Sequence, residues 1–430
     1  MKQVLFSGSR TGVVTAPASK SMAHRLFIAA ALGRAPVRIR CSGLSADVSA
    51  TLACLRALGA DIYRAEPDIY IVTPLSAPTE GLCVLPCGES GATLRFLLLP
   101  VAGALGARAV FRRQGRLPQR PIAPLSEALC RRGMTIWAQG NDLYCQGRLS
   151  AGDFSLVGDV SSQFVSGLLL ALPLLAGRST LTLTSPPESA PYIAMTEGVL
   201  SAAGVSYSRS GDRYEISGRQ RYALPACQTV EGDWSAAAVF LCAGALSRSG
   251  VTVKGLSLPT AQGDSVVLSL LRSMGAQVSV SSGGVTVRAG TLRGIPADAR
   301  SMPDLIPPLC VLAAVAEGHT YIQNARRLRL KESDRLAGLA SLLAVLGGRV
   351  QETPDSLVIC GVSRLRGGAI DPLGDHRLAM AAALAALAAD APVTVSGSQC
   401  VQKSYPAFWD DFNSLKGETP CPAPSEASSV

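Results

Sequence analysis

Leu52-Ala53-Cys54-Leu55-Arg56-Ala57-Leu58-Gly59 runs directly into alternating residues 60–64 and 69–73, which flank Glu66-Pro67-Asp68. Leucine and alanine at helical spacing, closed by a glycine, predict an amphipathic helix that stops at a left-handed residue. Alternation on both sides of a turn predicts a β-hairpin behind it. The same phrase recurs with turns at Gln139-Gly140-Asn141-Asp142, Ser210-Gly211-Asp212, Ser282-Gly283-Gly284 and Thr353-Pro354-Asp355. The closing glycines are Gly59, Gly133, Gly204, Gly275 and Gly347, at intervals of 74, 71, 71 and 72 residues. A sixth glycine, Gly417, follows 70 residues later, after a helical stretch at 408–415, and no hairpin follows it.

A second series is phased between the first. Helices are predicted to begin at Ser21, Gly91, Ser162, Trp234, Asp304 and His376, give or take two residues, at intervals of 70 to 72. Short strands follow at 37–40, 109–112, 180–184, 251–254, 320–323 and 393–396. The unit reads helix, strand, helix, strand, strand, six times, and two near-regular series make chance an implausible source. The chain opens on an orphan pair, residues 3–7 and 11–16. We expect that pair to complete the sixth unit, so that the chain ends meet in one domain. Residues 418–430, rich in Pro, Ala and Ser, are expected to be a disordered tail.

The 430 residues are 48% hydrophobic and 17% charged, which excludes a disordered or fibrous chain and leaves room for two domains of three units. Aromatics are only 5%, so the core must be mostly Leu, Val and Ala. Met1-Lys2-Gln3-Val4-Leu5-Phe6 lacks the pattern of a signal peptide, and the longest apolar stretch, 378–389, is too short for a bilayer. The expectation is a cytoplasmic protein with no membrane partner. Forty Lys and Arg against 31 acids give a net charge of +9. They come in ones and twos, with no basic arm, which favours a small polyanion over nucleic acid.

Twelve cysteines contain no CxxC, and Cys54, Cys130, Cys242 and Cys310 sit in apolar runs, as reduced buried thiols do. His24, His319 and His376 lack metal spacing, and no phosphate loop, dinucleotide fingerprint or nucleophile elbow is present. Neither metal nor cofactor is expected.

Helix N-termini carry unpaired N–H groups and a partial positive charge, so they attract anions. At the six starts stand Ser19-Lys20-Ser21 with Arg25, Gly88-Glu89-Ser90-Gly91 with Arg95, Ser161-Ser162-Gln163, Asp233-Trp234-Ser235, Pro303-Asp304 and Asp375-His376-Arg377. Ser and Asp there are ordinary N-caps. Lys20, Arg25 and Arg377 oppose the helix dipole unless an anion is held nearby. Arg116 and Arg120 lie in a Gly/Pro loop. The run from Arg326 to Arg335 reads as a charged helix start capped at Ser333. The chemistry this suggests is acid–base work on an anion gripped by Arg and Lys.

These segments also carry a resemblance. Ala18-Ser19-Lys20-Ser21 with Arg25, Cys87-Gly88-Glu89-Ser90-Gly91-Ala92-Thr93-Leu94-Arg95, Arg120-Pro121-Ile122, Ser161-Ser162-Gln163-Phe164, Lys331-Glu332-Ser333-Asp334-Arg335, Asp375-His376-Arg377 and Lys403-Ser404-Tyr405-Pro406 occur in one order. Together they resemble the enolpyruvylshikimate phosphate synthase family, from about residue 16 to about residue 412. The resemblance implies an α/β fold of two domains, each of three βαβαββ-type units, with helix N-termini facing an interdomain cleft: an inside-out α/β barrel. Domain one would be residues 1–18 plus 231–417 and domain two residues 19–230, with the two chain crossings as a hinge. It implies a monomer that moves the enolpyruvyl group of phosphoenolpyruvate to the 5-hydroxyl of shikimate 3-phosphate and releases phosphate, a step of aromatic amino-acid biosynthesis, without a cofactor.

Carried over by position, Lys20, Gly91, Arg120, Arg335, Arg377 and Lys403 would hold phosphoenolpyruvate. Ser21, Arg25, Ser161, Ser162, Gln163, Ser189, Tyr192, Asp304 and Lys331 would hold shikimate 3-phosphate. Asp304 would take the proton of the attacking hydroxyl, and Glu332, alone or with Lys20, would protonate the methylene carbon. Two positions depart from the pattern: Glu89 and Arg327 stand where members often carry Asn, and a local Arg is expected to pair with Glu89. One rival is the sister transferase acting on a uridine-diphosphate amino sugar, whose usual loop cysteine is missing from residues 112–120. The other is a non-catalytic anion- or nucleic-acid-binding scaffold, which has no use for Asp304 and Glu332 amid so much positive charge.

Overall fold

Gly59, Gly133, Gly204, Gly275 and Gly347 all take positive φ, between 69° and 103°, directly after a helix. That geometry is nearly free for glycine alone and fixes the period of the chain. The computed structural model describes residues 1–75 and 81–418, without the side chains of 96–98. Six small sheets result, and four of them share one order: first strand parallel to second, second antiparallel to the return strand of a hairpin, hairpin entry strand outermost. Leu82–Gly88, Arg108–Arg113, Asp142–Gly147 and Met134–Gln139 make one. Asp153–Leu156, Ser179–Leu183, Arg213–Ile216 and Tyr207–Ser210 make the next. Pro296–Asp298, His319–Gln323, Leu357–Cys360 and Arg349–Glu352 make a third.

The fourth borrows its leading strand. The strands that precede Val37–Arg40 join other sheets, and Cys227–Thr229, arriving from the end of the third unit, pairs with it in parallel. The mirror arrangement occurs at Val251–Lys254, whose parallel partner is Arg10–Thr15. The opening pair of strands is therefore not a hairpin. Lys2–Leu5 joins the sixth sheet antiparallel to Val393–Ser396, as expected, but Arg10–Thr15 leaves to close the fourth unit. An open parallel edge beside Val251–Lys254 leaves unpaired backbone groups, and satisfying them outweighs a local hairpin. Gly417 is also corrected: it is not a helix stop but part of strand Lys416–Gly417, paired with Arg10 and Thr11.

Two hydrophobic cores form, one from residues between Ala18 and Val230, the other from Leu5, Val14, Ala16 and residues between Trp234 and Leu415. The fold is α/β in two halves. Helices Trp234–Ala245, Ile306–Ala314 and His376–Leu387 are buried along their whole length and pack on one another. Their alanines let backbones approach closely, which is how a chain with few aromatics fills its centre. The sheets lie outside them, with Val13, Val280 and Tyr321 facing outward and exposed. Among the described residues no helix is long and apolar enough to cross a membrane.

Where the chain passes between the halves, Ala18 and Gly232 form an antiparallel bridge. Ser19 N donates to Glu231 O and Asp233 N to Pro17 O, each at 2.8 Å. Asp233 then serves two helices at once. Its Oδ1 accepts from Ala236 N at 2.8 Å, capping its own helix, and its Oδ2 accepts from Lys20 N at 2.9 Å, at the start of helix Lys20–Ala31 in the other half.

Among the described residues the cysteines form no disulfide. Cys54, Cys242 and Cys310 are buried, whereas Cys130 is exposed, because Leu125, Ala128 and Leu129 take the core face of helix Ala123–Cys130. The tail expectation is corrected at its first residue; residues 419–430 lie outside the described part. Glu418 accepts from Ser9 Oγ (2.7 Å), Ser247 Oγ (2.8 Å), Ser249 N (2.6 Å) and Arg248 N (3.2 Å). Burial alone would raise its carboxyl, but the donors at Ser9, Ser247 and Ser249 hold it at about 2. Its contribution is therefore full above the unfolded carboxyl value of about 4.3 and is lost as pH falls toward 2. Glu418→Gln is expected to lower unfolding stability by about 1–2 kcal/mol at neutral pH. Urea melts from pH 7 to pH 2.5 should show the gap closing with acid, and a gap independent of pH would contradict the assignment.

Candidate active site

Six helix starts converge where the halves meet, and most of the Ser and Asp residues there do cap. Ser19 accepts from Met22 N, Ser161 from Gln163 N, Asp233 from Ala236 N and Asp375 from Arg377 N. Helix Arg335–Val345 is capped by Asp334, not by Ser333. Ser333 is one residue too early and instead donates to Asp375 Oδ2 at 3.0 Å. Asp304 also caps nothing, since its helix begins at Ile306 without a side-chain cap. Its carboxylate is left for other work.

A cleft opens between the halves, lined largely by polar and charged side chains. From one side Lys20, Ser21, Arg25, Gly91, Arg120, Ser161, Ser162, Gln163, Ser189 and Tyr192 line it, and from the other Asp304, Lys331, Glu332 and Arg335. Lys403 lies in an adjoining cavity with Arg116, Arg120 and Glu332. Arg377 is behind the wall, reaching Asp304 Oδ2 at 3.2 Å and Ser235 O at 2.8 Å.

Arg335 organises the floor. It is 1% exposed and meets three carboxylates: Nη1 to Asp304 (2.9 Å), Nη2 to Glu332 (2.9 Å) and Nε to Asp375 (3.0 Å). Glu332 is shared with the other half, where Arg120 Nη1 lies 3.2 Å from its Oε1. A Cβ at Gly91 would come within 2.9 Å of Arg120 Nη1, so glycine is what lets that guanidinium lie over the helix start. A second bridge crosses at Lys403, whose Nζ donates to Glu89 O (2.8 Å) and lies 3.3 Å from Asp47 Oδ1. Asp47 Oδ2 in turn accepts from Lys20 Nζ at 2.9 Å. The partner of Glu89 is therefore Lys403, with its Oε2 3.5 Å away, and not an arginine. Arg25, 1% exposed, donates to Ser21 O, Tyr192 O, Thr196 Oγ1 and Ser166 Oγ, and so holds two of the expected acceptor residues in place.

The ionisation states follow from these contacts. Burial would raise the Asp304 carboxyl, but Arg377, Lys331 and Arg335 hold it far below the carboxylate range. Burial likewise opposes the charge on Glu332, and Arg120 and Arg335 override it. Lys20 stays cationic because Asp47 and Glu332 outweigh its desolvation and raise it. Lys331 is the exception: desolvation brings it down to about 8 against the pull of Asp304. His24 and His376 are pushed to about 3 by burial and are neutral.

Sequence reasoning missed Asp47, Asp375 and Glu188, whose Oε2 lies 2.7 Å from Arg327 Nη1, as members of the charge network. Asp47 reads as an ordinary first-turn acid and carried no signal. Asp375 stood inside a quoted motif, where its second task, clamping Arg335, could not be seen.

The comparisons with known proteins agree with one another. A family model described as EPSP synthase (3-phosphoshikimate 1-carboxyvinyltransferase) matches residues 7–412. A Clostridium kluyveri protein named 3-phosphoshikimate 1-carboxyvinyltransferase is 38% identical over 410 residues, 95% of each chain. One of that name from Clostridium perfringens is 38% identical over 422 residues, 97% of this chain and 99% of its own. Among solved structures, EPSP synthase from Acinetobacter baumannii superposes with a TM-score of 0.78 at 26% identity, covering 96% of this chain and 97% of the other. The enolpyruvyl transferase NikO from Streptomyces tendae gives 0.78 at 23% identity over 97% of each chain, a likeness of fold.

Arg335→Ala would leave the fully buried Asp375 without its cation and take a partner from the half-buried Asp304 and Glu332, and a loss of about 3–5 kcal/mol of stability is expected. Denaturant unfolding checks this, and a change below about 1 kcal/mol, the scale of an exposed pair, would show that the cluster is not coupled through Arg335.

Proposed function

Because the chain belongs to the EPSP synthase family, we propose that its cleft joins phosphoenolpyruvate to the 5-hydroxyl of shikimate 3-phosphate and releases phosphate. The observation that carries this is the pair Asp304 and Glu332, both kept ionised inside a ring of cations that two small polyanions would occupy. A binding scaffold has no need of carboxylates that compete with its ligand. Acid–base transfer does. In the same reading the halves are domains, residues 1–18 with 231–417 and residues 19–230. The bridge at Ala18 and Gly232 is the hinge, and the enzyme works as a cytoplasmic monomer.

Phosphoenolpyruvate would be gripped by Lys20, Arg120, Arg335, Arg377 and Lys403, whose guanidinium forks suit carboxylate and phosphate. Four of them, Arg120, Arg335, Arg377 and Lys403, are among the groups that depress Asp304 and Glu332 against the effect of burial. Once substrate anions take up their charge, both carboxylates gain proton affinity, so binding itself prepares the base. Asp304 then takes the proton of the 5-hydroxyl as its oxygen attacks C2 of phosphoenolpyruvate. C3 receives a proton from Lys20, the group that holds one beforehand, with Glu332 beside it. The result is a tetrahedral ketal. Loss of a C3 proton back to the same pair expels phosphate and leaves the enol ether. The surrounding cations stabilise the charge that accumulates, and closure of the cleft, by excluding water, would strengthen them.

The first test is phosphate release with each substrate omitted in turn. Release only with both supports the reading, and none from folded protein overturns it. Salt separates the scaffold alternative, because binding of an extended polyanion weakens steeply as salt rises. Lys20→Ala is expected to lose turnover by about 10²–10⁴-fold with unchanged circular dichroism. Full activity in that variant would remove Lys20 from the mechanism. Lys331 adds a pH dependence. Its ammonium is lost as pH rises through about 8, so kcat/KM for the acceptor should fall above that pH. Lys331→Arg should flatten that limb, and a flat wild-type profile to pH 9.5 would contradict the role.

A further inference from the structure

Asp264 lies in the short turn Gly263–Val266 and takes no part in the proposed reaction. The two halves touch here, since a Cβ at Gly263 would come within 2.6 Å of the Pro191 side chain. The carboxyl of Asp264 is buried, at 3% exposure. Its Oδ2 is hydrogen-bonded to Ser235 Oγ, and the Tyr192 hydroxyl of the other half lies 3.5 Å from the same oxygen. Its Oδ1 is buried and has no hydrogen-bond partner among the described residues. The other carboxylates of the cluster are answered: Asp47 by Lys20 and Lys403, Asp375 by Arg335, Asp304 by Arg335 and Arg377, and Asp233 by two helix N–H groups. Among the described residues Asp264 has only a hydroxyl and a phenol.

The charged and titratable groups around it decide its state. Asp233 comes from the start of helix Trp234–Ala245, Asp304 from the segment before helix Ile306–Ala314, Arg377 from helix His376–Leu387 and the Tyr192 phenol from helix Ala190–Ala202. A carboxylate at 264 would be a third negative charge around one guanidinium that Asp304 already engages, and a buried charge so placed keeps its proton. Burial and Asp304 raise the carboxyl to about 7, with Asp233 adding to them and Ser235 and Arg377 opposing. Arg377 is where this matters. Its Nη2 lies 3.2 Å from Asp304 Oδ2, its Nη1 donates to Ser235 O at 2.8 Å, and its Nε is buried without a partner among the described residues. Ser235 thus joins the two groups, the carboxyl through its hydroxyl and the guanidinium through its carbonyl. We infer that Asp264 is a positioning residue for Arg377: while it holds a proton, the guanidinium is left to the phosphoenolpyruvate anion, and once ionised it competes for that guanidinium from inside the protein. The inference rests on the reading above for the identity of the anion, but not for the competition itself. Anion binding at Arg377 then draws a proton onto Asp264, and the two events are linked.

The test uses the full chain. Asn at 264 keeps the neutral form at every pH, and comparison with Asp264→Asn cancels the titration of the substrate's own phosphate, which both proteins share. The ratio of wild-type to Asp264→Asn KM for phosphoenolpyruvate, at saturating acceptor, is expected to climb about tenfold between pH 6 and pH 8, as it must when only the protonated form binds. The ratio of kcat values should stay flat across that range. Ser235→Ala keeps the carbonyl on Arg377 but removes a hydrogen bond that lowers Asp264. Its KM should therefore begin to rise at a higher pH than that of the wild type, and this variant carries the test if Asp264→Asn does not fold. Calorimetry with phosphoenolpyruvate or inorganic phosphate, in buffers of different ionisation heat near pH 7, reads proton uptake on binding without turnover. Uptake by the wild type that is lost in Asp264→Asn supports the inference even where no phosphate is released, and in that case only the reaction assignment falls. A KM ratio constant from pH 6 to pH 8, an unmoved profile in Ser235→Ala, or equal proton uptake in wild type and Asp264→Asn would overturn it.

Discussion

Charge removed from water has to be answered by its neighbours, and Arg335 is where this protein meets that demand most severely. A guanidinium at 1% exposure needs its five donors matched. The partners come from three separate segments: Asp304 before one buried helix, Asp375 at the start of another, and Glu332 one turn back in its own chain. Each partner is tied again, Asp304 to Arg377, Asp375 to Ser333, and Glu332 to Arg120 of the other half. Arg335 thus ties the fifth repeat unit to the start of the sixth, and through Glu332 the same cluster reaches Arg120 of the other half. The catalytic carboxylates of the proposed reaction are the same atoms that keep Arg335 buried. Structure and chemistry share a single electrostatic balance here, so substrate anions must enter as replacements for internal partners rather than as additions to them.

Asp233 solves a related problem at the crossing. Two helices from different halves begin within hydrogen-bonding distance of one carboxylate, and both of their positive ends are turned toward it. A serine cap could satisfy one of them only. The bridge at Ala18 and Gly232 brings the two helix starts together, and a Cβ at Gly232 would lie 2.3 Å from Gly255 O. The close backbone approach and the shared cap depend on each other.

Much of this was legible before any coordinates. The glycines at 59, 133, 204, 275 and 347 report a backbone requirement that a side chain cannot fake, and the helix starts at Lys20 and Arg377 violate the dipole in a way that needs an anion. Local signals failed where the answer lay in distant partners. The alternation in residues 1–16 was real, yet which sheet each strand joins was decided by open edges formed hundreds of residues later. Ser333 and Asp334 are both good caps, and only the helix register chooses between them. Asp47 looked like any acidic first-turn residue. It matters because Lys20 and Lys403, from opposite ends of the chain, both arrive at it. Gly417 kept the period of the repeat by position, but with no hairpin to follow it became edge strand.

The borrowed strands have a consequence for how the chain can be divided. Residues 19–230 carry every strand of their own three sheets, because Cys227–Thr229 comes home to Val37–Arg40. The remaining sequence is not self-sufficient as a contiguous piece. A polypeptide starting after the second crossing lacks Arg10–Thr15 beside Val251–Lys254 and Lys2–Leu5 beside Val393–Ser396, two sheets short of one strand each. Lys416–Gly417 and Glu418 would lie against the missing segment, at Arg10, Thr11 and Ser9. Residues 416–418 thus lie against residues 9–11, and residues 19–230 are in effect an insertion between strand Arg10–Thr15 and helix Trp234–Ala245. Topologically the molecule is one ring of three units opened to admit another, and a joint between residues 418 and 1 would restore the host ring as a continuous chain.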